Sequence, residues 1–357
     1  MSAKPALDRY RLLGRSALRV SPLCLGTMTF GSEWGWGADE SVSSAQLDLY
    51  AERGGNFIDT ANFYTGGTSE TLLGRFLEGR RDRFVLATKY TSNMRPGDPN
   101  AGGNHRKNLV QSLEASLRRL RTDHVDLYWV HVDDLLTPIE ETMRALDLAV
   151  RQGKVLHVGI SDMPAWKVAQ ANTIADFRGW SPFTALQVEY SLVQRTPERD
   201  LVPMAQALGL AVTPWSPLGG GVLSGKYTRA DLAKPDAAAP ASPSGSRKDV
   251  VVAFNMLNER TLGIAEVVRS VAQECGASPS QVAIRWLLGK PGVTSPILGA
   301  RTLDQLKDTL GALDVSLSAE QTVRLDDASR VSLGFPHDFL RSDMVKNVVG
   351  GGTVVEG

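Results

Sequence analysis

Along the chain, short apolar runs rich in β-branched residues alternate with longer stretches whose apolar residues recur at helical spacing. The short runs fall at 23–26, 57–59, 84–88, 125–130, 155–160, 184–187, 211–215 and 294–298, with the length and continuity of strands buried on both faces. The longer stretches, at 41–53, 69–77, 108–120, 138–152, 164–174, 197–208 and 261–275, read as helices with recognisable caps. Eight strands separated by covering helices predict a parallel (β/α)8 barrel in preference to an open doubly wound sheet. Ahead of it, 10–13 and 18–20 flank Gly14-Arg15-Ser16, which predicts a β-hairpin.

The 357 residues favour two domains by length alone, but the unbroken alternation reduces that to one. The expected division is an N-terminal segment with the hairpin (1–22), a single barrel (23–330) and a tail over or near the barrel mouth (331–357). Phe335, Phe339 and Leu340 are the tail residues expected to pack there, and the Gly350–Gly352 tip is expected to fray. One segment breaks the rhythm. The Ala-, Pro- and Ser-rich run 228–250 makes a long loop after the seventh strand, where ligand-facing loops of a barrel belong, and reads equally as a lid or as a tolerated insertion.

Composition narrows the function classes. Hydrophobic residues at 42% and charged residues at 22% describe an ordinary globular chain. Lys plus Arg (39) balances Asp plus Glu (39), so there is no global field to draw the protein onto nucleic acid or an acidic membrane. Cys24 and Cys275 form no CxxC pair and no stretch is apolar enough to span a bilayer. With no signal-peptide pattern in 1–10, the expected location is the cytoplasm.

Four polar residues stand at or just beyond the C-terminal ends of successive predicted strands: Asp59, Tyr64 five positions on, Lys89 and His131. Singly, each has an ordinary role as a loop cap, a rim side chain, a solvated amine or a half-buried imidazole. In a barrel, however, these strand ends converge on one mouth. There Lys89 can lower the cost of a Tyr64 phenolate, Asp59 can hold Lys89, and His131 can donate to a carbonyl oxygen.

The motifs carrying these residues resemble those of the aldo-keto reductase superfamily, from about Arg11 to Leu325. GGNFIDTANFY (54–64), LATKY (86–90) and DLYWVH (126–131) are similar to the segments that hold the family's catalytic tetrad. The resemblance implies a (β/α)8 barrel, NADPH as cofactor, Tyr64 as general acid/base, and reversible reduction of an aldehyde or ketone. It also implies a cofactor path. Gly26, Thr27 and Met28 lie in the loop after the first strand, and Asp59 belongs to this path as well as to the tetrad. Ser161, Asp162 and Gln187 hold the nicotinamide carboxamide, and Trp215 offers a face to its ring. Ser216, Pro217, Leu218, Gly220, Ser224, Gly225 and Lys226 lie on the pyrophosphate side. Gly299, Arg301 and Gln305 lie at the adenosine 2′-phosphate, and Asp308 and Thr309 on the adenine side. Trp34 and Trp36, on the Gly-rich loop after the first strand, are expected to line the substrate pocket with Tyr64 and His131. Aromatic, sugar-like and cyclic carbonyl substrates all stay open.

Two positions depart from the family pattern: Asp162 stands where Asn is frequent, and Thr309 where an adenine-contacting Asn is expected. A second reading from another class is a nucleotide-sensing, partner-binding subunit, resembling channel-associated barrels of the same superfamily. Competing motifs are weak. Gly220 to Lys226 reads G-x-x-x-x-G-K but continues with Tyr227 in place of Ser or Thr. None of the five histidines sits in a metal-ligand pattern, so no metal is expected.

Overall fold

The structure, a computed structural model, describes residues 6–232, 251, 256–351 and 353. Two short strands, β1 (Arg11–Leu12) and β2 (Arg19–Val20), pair antiparallel as the predicted hairpin. Eight parallel strands follow: β3 (Cys24–Gly26), β4 (Phe57–Asp59), β5 (Val85–Tyr90), β6 (Val125–Val130), β7 (Val155–Ser161), β8 (Phe183–Glu189), β9 (Ala211–Trp215) and β10 (Ile297–Leu298). Neighbours in sequence are neighbours in the sheet, and β10 pairs with β3. The seam between β9 and β10 is closed just ahead of β10, where Thr294 N–H donates to Val212 O at 2.8 Å and Val212 N–H to Gly292 O at 3.2 Å. The fold is therefore a (β/α)8 TIM barrel.

Helices α1 (Glu40–Glu52), α2 (Thr68–Phe76), α3 (Arg106–Leu120), α4 (Ile139–Arg151), α5 (Ala165–Arg178), α6 (Leu201–Leu208) and α7 (Glu259–Cys275) match the seven read from spacing. α8 (Pro279–Leu288), α9 (Leu303–Leu310) and α10 (Ala319–Ala328) were not foreseen. α8 starts on a Ser278–Gln281 capping box with Pro279 at its first position, but it buries Val282, Ala283, Ile284, Trp286, Leu287 and Leu288. The apolar run 282–288 is interrupted only by Arg285, and a run so short and continuous reads as readily as a buried strand as a helix. α11 (His337–Leu340) and α12 (Asp343–Gly350) form the tail. His337 pairs with Asp200 at 2.8 Å beside the loop after β8, while Phe335, Phe339 and Leu340 are exposed. The lid-or-insertion segment, except for 228–232, lies outside the described residues, as does the end of the chain's glycine tip.

Strand parity separates two cores. Leu25, Ile58, Leu86, Tyr128, Val130, Ile160, Leu186 and Val212 point outward and pack against the helices. Cys24, Phe57, Val85, Ala87, Leu127, Trp129, Ala185, Ala211 and Ile297 fill the barrel, and Leu13 and Val20 of the hairpin region seal its lower end. Gly159 makes room inside: a Cβ there would lie 2.4 Å from the Trp129 ring. The inward row continues to the strand ends, where apolar filler gives way to Asp59, Lys89, His131, Ser161 and Gln187.

Candidate active site

Lys89 stands two residues beyond Ala87 on β5, so it shares the inward parity of the filler and is fully buried. Its ammonium donates to Asp59 Oδ2, to Thr60 O at 2.8 Å and to Tyr64 Oη at 3.0 Å. Burial by itself lowers the lysine's pKa, but Asp59 and Tyr64 raise it above the ordinary value, so the ammonium stays charged. Gln187 Nε2 donates to the other Asp59 oxygen at 3.1 Å, tying β8 to the pair. Burial raises the Tyr64 phenol; the Lys89 charge opposes it and Asp59 adds to it, leaving the phenol above its ordinary value.

Tyr64 reaches this position because the chain beyond β4 turns sharply. Thr65, Gly66 and Gly67 have left-handed backbones, and Thr65 Oγ1 donates to Phe30 O at 2.7 Å. Ser69 Oγ fastens the same turn to Thr27 O at 2.8 Å. The His131 ring lies 6.0 Å from that of Tyr64, nearly perpendicular to it. Burial, with the Lys89 charge behind it, holds His131 well below its ordinary pKa, so the imidazole is neutral, and its buried Nδ1 has no hydrogen-bond partner.

Trp34 packs against Trp36, Phe63 and Tyr64 with centroids 5.5, 5.8 and 6.5 Å apart. Phe63, which sequence reasoning left unassigned, lies 5.1 Å from Tyr64 and 5.3 Å from His131 and completes an aromatic wall. Its position beside Tyr64 was its only signal. The Thr60 carbonyl that accepts from Lys89 is backbone and has no signature in sequence.

On the opposite side, Ser161 and Gln187 are register partners on β7 and β8, and Glu189 faces Trp215 across β8 and β9. Ser161 Oγ is buried without a partner. An unsatisfied buried hydroxyl costs about 1–3 kcal/mol, and a ligand carboxamide is of the right chemistry to satisfy it. Trp215 is half-buried, and its indole N–H donates to Asp162 Oδ1 at 3.1 Å. These groups fit a flat ring carrying a carboxamide.

The other residues of the expected cofactor path lie at or just after the ends of β3 and β9 and, after β10, run on into α9. Thr27 N–H and Oγ1 both donate to Asp59 O, between Gly26 at the β3 end and the half-buried Met28. After β9, Ser216 has a left-handed backbone, and its Oγ accepts from Gly220 N–H at 3.0 Å across the Pro217-Leu218 turn. Ser224 Oγ donates to Gly221 O at 2.7 Å, and beyond Gly225 the Lys226 ammonium lies over the Tyr227 ring. After β10, past Gly299, Arg301 N–H donates to Gln305 Oε1 at 2.9 Å. Asp308 accepts from Gln281, and Thr309 turns its hydroxyl onto Gln305 O and Leu306 O of its own helix. Among the described residues, no three His, Cys, Asp or Glu side chains gather as a metal site, and no helix is long and apolar enough to cross a membrane.

Comparison with known proteins agrees with this architecture. The family profile "Aldo/keto reductase family" matches residues 22–330. The norsolorinic acid reductase of Emericella nidulans is 38% identical, over 96% of this chain and 91% of its own length. An aryl-alcohol dehydrogenase [NADP(+)] of Phanerodontia chrysosporium is 38% identical, over 93% and 88%. An uncharacterized oxidoreductase of Bacillus subtilis is 37% identical, over 89% and 95%. With a barrel of the expected topology and a profile match over most of its length, the chain belongs to the aldo/keto reductase family and is an oxidoreductase acting on carbonyl groups.

Proposed function

We propose that the protein is an NADPH-dependent enzyme that interconverts an aryl aldehyde or ketone with its alcohol, with Tyr64 as general acid and base. The observation that carries the reading is the buried Lys89 ammonium 3.0 Å from the Tyr64 hydroxyl, beneath the wall of Trp34, Phe63 and His131. Bound NADPH supplies a hydride donor. Ser161, Asp162 and Gln187 hold its carboxamide, Trp215 supports its ring, and Arg301 with Gln305 receives the 2′-phosphate.

The neutral His131 imidazole has one N–H to donate to the substrate carbonyl oxygen, orienting it and stabilising the charge that develops there. Tyr64 delivers the proton to that oxygen. The phenolate left behind sits beside the Lys89 cation, which lowers its energy, and Asp59 with the Thr60 carbonyl keeps the ammonium aimed at it. In the oxidative direction the same phenolate removes the alcohol proton. Aryl substrates are favoured by the aromatic wall and by the name of one relative, an aryl-alcohol dehydrogenase.

The test follows loss of reduced nicotinamide absorbance with aryl, sugar-like and alicyclic carbonyl compounds, using Tyr64→Phe as control. The expected outcome is turnover strongest with aryl carbonyls, lowered in the variant by about 10²–10⁴-fold with NADPH affinity retained. Near-normal turnover of Tyr64→Phe would refute the proton route. Tight NADPH binding without turnover in either direction, with a protein partner recovered, would establish the sensing role instead.

A further inference from the structure

Asp162 follows Ser161 at the end of β7, with a left-handed backbone at φ 46°. Its backbone N–H donates to Gln187 O and its carbonyl accepts from Asp133 N–H, both at 3.3 Å, so the residue is tied to strands on either side. The carboxyl is thereby set at the edge of the Trp215 indole, whose N–H donates to Oδ1.

Charged groups face this carboxyl from β5, from β8 and from the chain beyond β6. Lys89 of β5 attracts it but is committed to Asp59 of β4. Asp133, beyond β6, is paired with Lys167 of α5 at 2.6 Å. His131, at the end of β6, and Tyr64 are neutral. Glu189 of β8 is itself pushed up by burial and by the Asp162 charge. Crowding by protein pushes the Asp162 carboxyl up to about 6, against the pull of the Trp215 N–H, the nearby Ser161 hydroxyl and the Lys89 charge. Solvent reaches the residue, and at neutral pH the group is a carboxylate.

The nicotinamide ring is cationic when oxidised and neutral when reduced. We propose that the Asp162 carboxylate discriminates between these two states, holding NADP+ more tightly relative to NADPH than a neutral amide at position 162 would. The inference rests on the nicotinamide placement proposed above and adds to it a redox-state preference made by one side chain of this chain. Its consequence is that the nicotinamide, once bound, gives up its hydride more readily, so the step on the protein leans toward carbonyl reduction, while release of the oxidised dinucleotide is slower.

The attraction of two unit charges in contact is worth about four-fold or more in a binding equilibrium even in a water-like medium, and more where water is partly excluded. That sets the expected size. The test measures dissociation constants of NADP+ and NADPH by quenching of tryptophan fluorescence, for the intact chain and Asp162→Asn, between about pH 5.5 and 8. Asn keeps the shape, the acceptor for Trp215 and tolerance of the left-handed backbone. Both dinucleotides carry the same 2′-phosphate, so its titration cancels in the ratio of the two constants.

At pH 8 the preference for NADP+ over NADPH is expected to fall by at least about four-fold in Asp162→Asn. In the unaltered chain it should decline toward the variant's value as the pH falls through about 6, while the variant's ratio stays level. An equal ratio in both proteins, or a ratio in the unaltered chain that ignores pH, would overturn the inference and leave the parent reading intact. Failure of either dinucleotide to bind the unaltered chain would overturn both.

Discussion

Lys89→Met separates the chemistry of the site from its architecture. Methionine preserves most of the side-chain volume in a fully buried position but removes the ammonium, leaving the Asp59 carboxylate buried without its cation. Breaking one half of a buried ion pair costs about 3–5 kcal/mol. Because Gln187 still donates to Asp59 at 3.1 Å, the lower end of that range is expected. Chemical denaturation should therefore show about 3 kcal/mol lost in Lys89→Met and most of it recovered in Asp59→Asn/Lys89→Met, where no charge is left buried. Turnover should follow a different pattern. Both variants should lose about 10²–10⁴-fold, because neither supplies the cation that stabilises the Tyr64 phenolate, and the alkaline limb of the rate profile should move upward with the phenol. Wild-type stability in Lys89→Met would refute the ion-pair account, and restored turnover in the double variant would refute the role given to the Lys89 charge.

Two further predictions concern the barrel interior and the imidazole. Gly159→Ala sets a methyl 2.4 Å from the Trp129 ring, and should lower stability by about 1–3 kcal/mol in thermal or chemical unfolding; an unchanged midpoint would show that the interior has slack there. His131 is held well below its ordinary pKa by burial, so below about pH 6.5 the unfolded chain binds a proton that the folded chain refuses. Stability from this group is therefore fully present above that pH and lost as the pH falls, by about 1.4 kcal/mol per unit until the folded value is reached. His157, also lowered by burial, adds to the same slope. His131→Gln should flatten the acid limb of stability against pH, and an unaltered limb would show that the ring is solvated.

Much of this protein was legible in its residues because strand parity and helix period are local properties. The strands at 57–59, 125–130 and 211–215 coincide with the observed bounds, since each is a compact apolar run ended by a polar or turn-forming residue. The final strand did not: only Ile297–Leu298 forms the ladder with β3, Pro296 adds one carbonyl that accepts from Cys24 N–H, and the expected 294–295 instead helps close the seam with β9. Pro296 lacks the N–H needed to continue a ladder there. The position of Phe63 between Tyr64 and His131 was equally illegible, because it follows from two strand ends brought together across the barrel.

The sequence by itself determined the fold class, the seven leading helices, and the placement of Asp59, Lys89 and His131 at or just past strand ends. Those features depend on period and on the residue type that closes each run. Only the tertiary structure decided the interactions among them. The acceptors of the Lys89 ammonium, the orphaned Ser161 hydroxyl, the neutrality of His131 and the contact of Trp215 with Asp162 depend on distances and burial between residues tens of positions apart. Closure of the barrel brings those residues together and removes water from among them, and electrostatic energies change most steeply under that desolvation.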